Sequence, residues 1–335
     1  TPALNLVYAH PRELLGDRVH ARFGKEFPIR FDMLDTMHGQ NLSLQVHPLT
    51  EYIQSHFHMH YTQDESYYLL DAAGEAPCVY LGIKTGTKPE EMVSALQEAQ
   101  NGGKPFPAEK FVNKIPVKKH DHVLIPAGTV HCSGADTMVL EISATPYIFT
   151  FKLWDWGRVD LDGKLRPIHL EHGAANIQWY RNTEWVHKNL INAVAEVYSD
   201  ENGTVVRTGL HEREFLDTFR FTTSSALPVH RNGSVHMLNL VDGTRAVLRR
   251  WSCTMQKPVL FPKRLVITKF TARTAARSRS FLPVFVTELF YMLLAANQDS
   301  GCITCFRRDE KTGLLKQETA EISCPAPVCI VAHPV

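Results

Sequence analysis

At 335 residues, with 44% hydrophobic and 21% charged side chains, the chain has the composition of a globular protein long enough for two domains. Thirty-six Lys and Arg face 35 Asp and Glu, a formal charge of +1, so no whole-chain field would recruit nucleic acid or an acidic membrane. No low-complexity tract or internal repeat is present, which excludes disordered and solenoid architectures. The most apolar late stretch, 281–296, is interrupted by Pro283 and Glu288 and is too short to cross a bilayer. Seven thinly spread cysteines fit a reducing compartment, and the opening segment carries Arg, Glu and Asp where a secretory leader would be apolar. A cytoplasmic protein is expected.

In chain order, short runs rich in β-branched and aromatic residues predict strands at Ser43–Val46, Ser66–Leu70, Val79–Ile83, His122–Ile125, Met138–Ile142 and Ile148–Leu153. One helix interrupts them, from Pro89 through Gln100. Pro89 stands at its first turn, Met92, Val93, Leu96 and Ala99 share a face, and Asn101-Gly102-Gly103 stops it. The polar, turn-rich segment 154–173 is the expected domain boundary. Strands resume at Phe219–Thr222, Val235–Val241, Ala246–Trp251 and Leu265–Phe270. The expectation is therefore a mainly β chain: a first domain over 1–168 with an inserted helix, and a smaller β-rich domain over 169–335. Between Gly243 and Thr287 there is no acidic residue and ten basic ones, a solvated basic face or, less simply, a surface for a polyanion. Near the end, Cys302, Cys305, Cys324 and Cys329 approach a zinc-ribbon spacing, but Pro325 and Pro327 inside the last gap speak against a metal knuckle.

Seventeen histidines make the first half worth searching for a metal site. In LSLQVHP, Gln45 and His47 are two apart and share one strand face. Glu65 opens a later strand and His131 follows a Pro-Ala-Gly turn in IPAGTVHCSG. An amide oxygen, two imidazoles and a carboxylate suit zinc in a catalytic site that leaves room for substrate. A second set competes: His58 and His60, with four residues between His60 and Glu65, and His131 as the distal ligand, a three-His, one-Glu set that would suit iron or manganese redox chemistry and a cupin dioxygenase. The proline directly after His47 pins a strand end there and favours the first set, while both share Glu65 and His131.

The segments FPIRFDMLD, LSLQVHP, DESYYLL, KPEEMVSAL, IPAGTVHCSG and LEIS, with the later DWGR and HLEH, resemble the type I mannose-6-phosphate isomerases, which are zinc-dependent enzymes of the cupin jelly-roll fold. The resemblance runs in order over about residues 15–173; beyond it, EREFLDTFRF and SVHMLNLVDG match loosely, and nothing matches after about Cys253. It implies that Gln45, His47, Glu65 and His131 bind one zinc per chain. It also implies that Ser43 lies near a substrate phosphate and that Glu141 lines the reaction pocket.

Three departures affect the cations of such a site. Gln63 stands where the family has a Lys near substrate, Lys152 where it has an Arg, and Asp32 where it has a Lys. Lys88, Lys152 and Arg158 are the cations left to compensate. The expected activity is conversion of mannose 6-phosphate to fructose 6-phosphate through a cis-enediolate. Glu141 is the acid/base and Lys152 the electrostatic group, with Ser43, Gln63, Lys88 and Arg158 toward the substrate. The partner is then a small sugar or sugar phosphate, with no nucleic acid or membrane. A noncatalytic sugar-binding cupin is the rival that the lost cations favour.

Overall fold

The structure, a computed structural model, describes residues 3–144, 149–208, 216–223 and 235–242. It also describes the strand segments 226–227, 245–248, 251–254, 259–260, 270–272, 280–282, 292–297, 302–308 and 315–323. The chain divides into two compact units, one of Thr1–Glu26, Tyr198–Val205 and Arg220–Val335, the other of Phe27–Val197 and Val206–Phe219.

The first unit holds three short helices, α1 (Ala3–Ala9), α2 (Pro11–Leu15) and α3 (Asp17–Phe23), and several short antiparallel strand pairs. Leu15 is fully buried and its carbonyl accepts from the Val235 amide, which ties the opening helices to the later chain. The expected strand at 219–222 is present, whereas 235–241 is extended only at Met237–Leu238. Of 265–270 only Phe270 is described; most of the basic stretch, Cys324 and Cys329 lie outside the described residues.

The second unit is built on nine strands: β1 (Arg30–Asp35), β2 (Leu44–Val46), β3 (Glu65–Ala72), β4 (Cys78–Ile83), β5 (Val112–Pro116), β6 (His122–Ile125), β7 (His131–Ser133), β8 (Thr137–Ser143) and β9 (Phe151–Trp154). They form two antiparallel sheets, one ordered β1-β8-β3-β6 and the other β5-β4-β7-β2-β9, the open sandwich expected of a jelly roll. Between them Tyr67, Leu69, Val123, Ile125 and Val139 of one sheet meet Val79, Leu81 and Ile115 of the other, all buried. The opposite face of the five-stranded sheet carries Leu44, Val46, Tyr80 and Leu153. It is covered by α5 (Pro89–Gln100), which buries Met92, Leu96 and Ala99 at helical spacing as expected, and by α7 (Leu170–Asn176). The remaining helices are α4 (Thr50–Phe57), α6 (Ala108–Phe111) and α8 (Thr183–Asn189).

The units divide the chain differently from the expected boundary at 168. Helices α7 and α8 belong to the sandwich: a side chain at Gly173 would collide with Leu153, and Val186 of α8 is fully buried in the core between the sheets. The turn-rich segment after Trp154 is a surface excursion of the sandwich, closed by the Val159–Leu165 bridge. At the other end, residues 1–26 group with the later chain. Strand β1 was also hidden from its pattern, because it turns Arg30 and Asp32 to the inner face and leaves Met33 44% exposed.

Candidate metal centre and reaction pocket

Alternation along β2 sends Leu44 and Val46 to the helix-covered face and Gln45 to the other. Gln45 lies directly opposite His131 on β7 and Lys152 on β9, so these three form a row on the inner face. The turn before His131 is held tightly. Gly128 has φ +84, its amide donates to the His47 carbonyl, and a Cβ there would strike the Asn176 carbonyl. Arg181, buried, donates to the carbonyls of Pro126 and Ala127 and to the Thr129 hydroxyl, so a residue beyond 168 pins the loop that presents His131.

His47, Glu65 and His131 converge at this end of the sandwich, all buried, with one potential ligand atom from each within 4.8 Å of the others. His47 Nε2 lies 3.1 Å from Glu65 Oε2, and His131 Nε2 lies 2.9 Å from Glu65 Oε1. On the far side of each ring, Nδ1 sits 2.9 Å from the Phe149 carbonyl and 2.8 Å from the Thr129 carbonyl, respectively. A carbonyl only accepts, so both Nδ1 atoms carry a proton and both Nε2 atoms face the cluster, the orientation in which a metal would be bound. His47 Nε2 and Glu65 Oε1 are buried without a hydrogen-bond partner despite their close neighbours, as atoms aimed at a shared ion would be. Gln45 Nε2 is 3.3 Å from His131 Nε2, and half a turn of its amide presents Oε1 instead. Two imidazoles, one carboxylate and an available amide oxygen fit a divalent metal.

Burial alone would raise the Glu65 carboxyl and lower His47, but their mutual attraction overrides it: Glu65 is held well below the usual carboxylate range and His47 is raised. Glu141, paired with Tyr67 across β8 and β3, shows the opposite behaviour. Its burial and then the Glu65 charge raise its carboxyl to about 7, against hydrogen bonds from Ser143 Oγ (2.5 Å) and Arg30 (2.6 Å). Ser143 is also 3.4 Å from Glu65 Oε2, so one hydroxyl links the two carboxylates.

Some expected roles need correction. Gln63 is turned into the protein: it is 2% exposed, donates to Glu65 Oε2 at 2.9 Å, and accepts from the Phe149 amide at 2.9 Å. It therefore supports the cluster from behind. Gln63→Leu is expected to cost about 1–3 kcal/mol by stranding both partners, read as a lower urea midpoint; an unchanged midpoint would mean that the amide makes neither bond. Lys88 is exposed at the start of α5 with its ammonium on Glu91, and its contact lies on that helix and not at the cluster. His58 closes α4 in the left-handed conformation and, like His60, is exposed and outside the cluster, so the three-His set is not assembled.

Beside the cluster lies a second charged group. Asp155, 3% exposed, accepts from Ser43 Oγ and Arg158 at 2.8 Å each, with Lys152 Nζ at 3.6 Å and Arg166 at 3.5 Å. Burial opposes ionisation there, but Ser43 and the three cations hold the Asp155 carboxyl below its ordinary value. Arg158 also donates to Gln40 and the Asn41 carbonyl, so its fork is spent on the loop and not held out to a ligand. Sequence reading missed Arg30, Ser143, Asp155, Arg166 and Arg181; same-face spacing on β1 and β8 was the available signal for the first two.

The fold and site together define a cupin with a His–Glu–His cluster on its inner face. In sequence the chain is 25% identical over 240 residues to mannose-6-phosphate isomerase ManA of Bacillus subtilis, covering 72% of this chain and 68% of that one. It is 30% identical over 170 residues to mannose-6-phosphate isomerase of Streptococcus mutans, covering 50% of this chain and 48% of that one. In fold it matches the crystal structure of mannose 6-phosphate isomerase from Bacillus subtilis with a TM-score of 0.62 at 17% identity, over 83% of this chain and 80% of that one. A variant of phosphomannose isomerase from Salmonella typhimurium matches at TM-score 0.60 and 13% identity, over 86% of each chain. In sequence the chain is similar to these mannose-6-phosphate isomerases, and it shares the fold of their solved structures. Separately, residues 287–332 match the family model for Lactonase, 7-bladed beta-propeller, a stretch that contains none of the site residues.

Proposed function

We propose that the chain is a zinc-dependent aldose–ketose isomerase acting on mannose 6-phosphate and fructose 6-phosphate. The observation that carries this reading is the buried cluster of His47, Glu65 and His131, with Glu141 held protonatable beside it. The chain's similarity to mannose-6-phosphate isomerases supports the same reaction and a sugar phosphate as substrate.

Gln45, His47, Glu65 and His131 would hold the metal, a donor set that suits zinc. When bound, zinc supplies a +2 charge that stabilises the negative charge developing on the substrate oxygens. Glu141 is the group that takes the proton from one of C1 and C2 and returns it to the other; a carboxyl poised at about 7 does both without a large penalty. Ser43 and Lys152, both against Asp155, form the polar seat proposed for the phosphate. Lys152 lies in register with Gln45, so this seat is continuous with the metal cluster along one strand pair. Arg158 contributes charge to it through Asp155.

A noncatalytic sugar-binding protein is the reading favoured by Asp32 and the inward Gln63, which add no cation. A coupled assay separates the two. Interconversion of the two sugar phosphates that stops with a chelator is the expected result, and absence of chelator-sensitive turnover on them would leave the binding protein ahead.

A further inference from the structure

We infer that Arg30 carries the permanent positive charge of the reaction pocket, orienting Glu141 and facing the negative charge that develops on the substrate. The inference rests on the isomerase reading and adds to it a residue that the expected set did not contain. On β1, Arg30 pairs with Ser143, which pairs in turn with Glu65; two residues along, Asp32 pairs with Glu141, which pairs with Tyr67. Directly opposed residues share a face, so Arg30 and Asp32 stand on the same inner face as the metal cluster.

One guanidinium nitrogen of Arg30 reaches both carboxylates, 2.6 Å from Glu141 Oε1 and 2.7 Å from Asp32 Oδ2. The side chain keeps 18% exposure, and its Nε is buried with no hydrogen-bond partner. An arginine serving only as a counter-ion would spend its fork on two-point contact with one carboxylate. Here a single corner is anchored, and donors are left over beside the group that must move a proton. Among the described residues, the hydrogen bonds and ion pairs joining Glu65, Gln63, Ser143 and Glu141 bring in one side chain of fixed positive charge, and it is Arg30. Asp32 then acts as the tether that keeps the guanidinium from collapsing wholly onto Glu141.

The test compares Arg30→Met and Arg30→Lys with the parent chain, each loaded with zinc and checked by thermal unfolding. Arg30→Met is expected to lose at least about 100-fold in kcat with KM changed less than about threefold, and Arg30→Lys to recover part of the loss. Binding is measured in parallel, by calorimetry, for mannonate 6-phosphate, whose carboxylate places negative charge at C1, and for the neutral-headed mannitol 6-phosphate. Arg30→Met should weaken the acid about tenfold or more and leave the polyol within about threefold. Equal effects on both analogues, or none on either, would overturn the inference whatever the turnover. Loss of turnover in the parent with the acid still discriminated would instead count against the isomerase reading and leave the charge assignment standing.

Discussion

Glu65→Gln is expected to lose zinc and turnover together. Among the described residues Glu65 is the one anionic ligand candidate in a cluster whose other members are two imidazoles and an amide, and its partners are arranged for a carboxylate. Gln63 and Ser143 both donate to Oε2, and the two imidazole Nε2 atoms lie 3.1 and 2.9 Å from the carboxylate oxygens. An amide of the same shape removes the charge that compensates a divalent ion and turns an NH2 group toward donors or toward a lone pair. Metal affinity should fall at least about tenfold, read by zinc analysis after dialysis, and activity should fall in proportion to the zinc lost. A variant that folds like the parent and retains its zinc would move the metal elsewhere in the chain.

The second large effect is at Glu141. Glu141→Gln should retain zinc, since Glu141 touches the cluster only through Ser143 and stands outside the ligand set. Its loss should appear in kcat, by about 10²–10⁴-fold, the usual contribution of a positioned acid or base, with KM little changed. The structure argues for this separation. The carboxyl is raised to about 7 by burial and by the charge of Glu65, so at neutral pH it exchanges protons readily, while an amide in the same two hydrogen bonds exchanges none. Zinc loss on the scale seen for Glu65→Gln would make Glu141 a ligand, and an unchanged kcat would remove it from the reaction.

Much of the site was legible because metal ligands leave a spacing. Gln45 and His47 two apart on a strand, a glutamate opening another strand, and a histidine after a glycine turn can be read from one sequence, and the structure brings His47, Glu65 and His131 together. Proximity in the chain proved a weaker guide, since His58 and His60 lie near Glu65 in sequence yet sit on the surface where α4 ends. The supporting residues were harder to read because their roles depend on pairing between distant strands. Gln63 is polar and two positions from a candidate ligand, which fits substrate contact as well as burial; the Phe149 amide on its far side favours burial. Arg30 gave the opposite signal from the usual one, since a charged residue alternating with Phe31 and Met33 reads as the solvent face. The course of the chain after Trp154 was hard to read for a similar reason. A turn-rich segment after Trp154 looks like a linker, but the chain returns to bury Val186 and to hold the His131 loop through Arg181.

One zinc at this cluster is expected to support isomerisation, and a metal titration reads that out. Protein stripped by chelator is given zinc in steps while conversion of mannose 6-phosphate to fructose 6-phosphate is followed. Turnover is predicted to rise linearly and to break at one zinc per chain, with His47→Ala and His131→Ala showing no such break. Turnover that is indifferent to zinc, or a break that survives loss of both histidines, would contradict it.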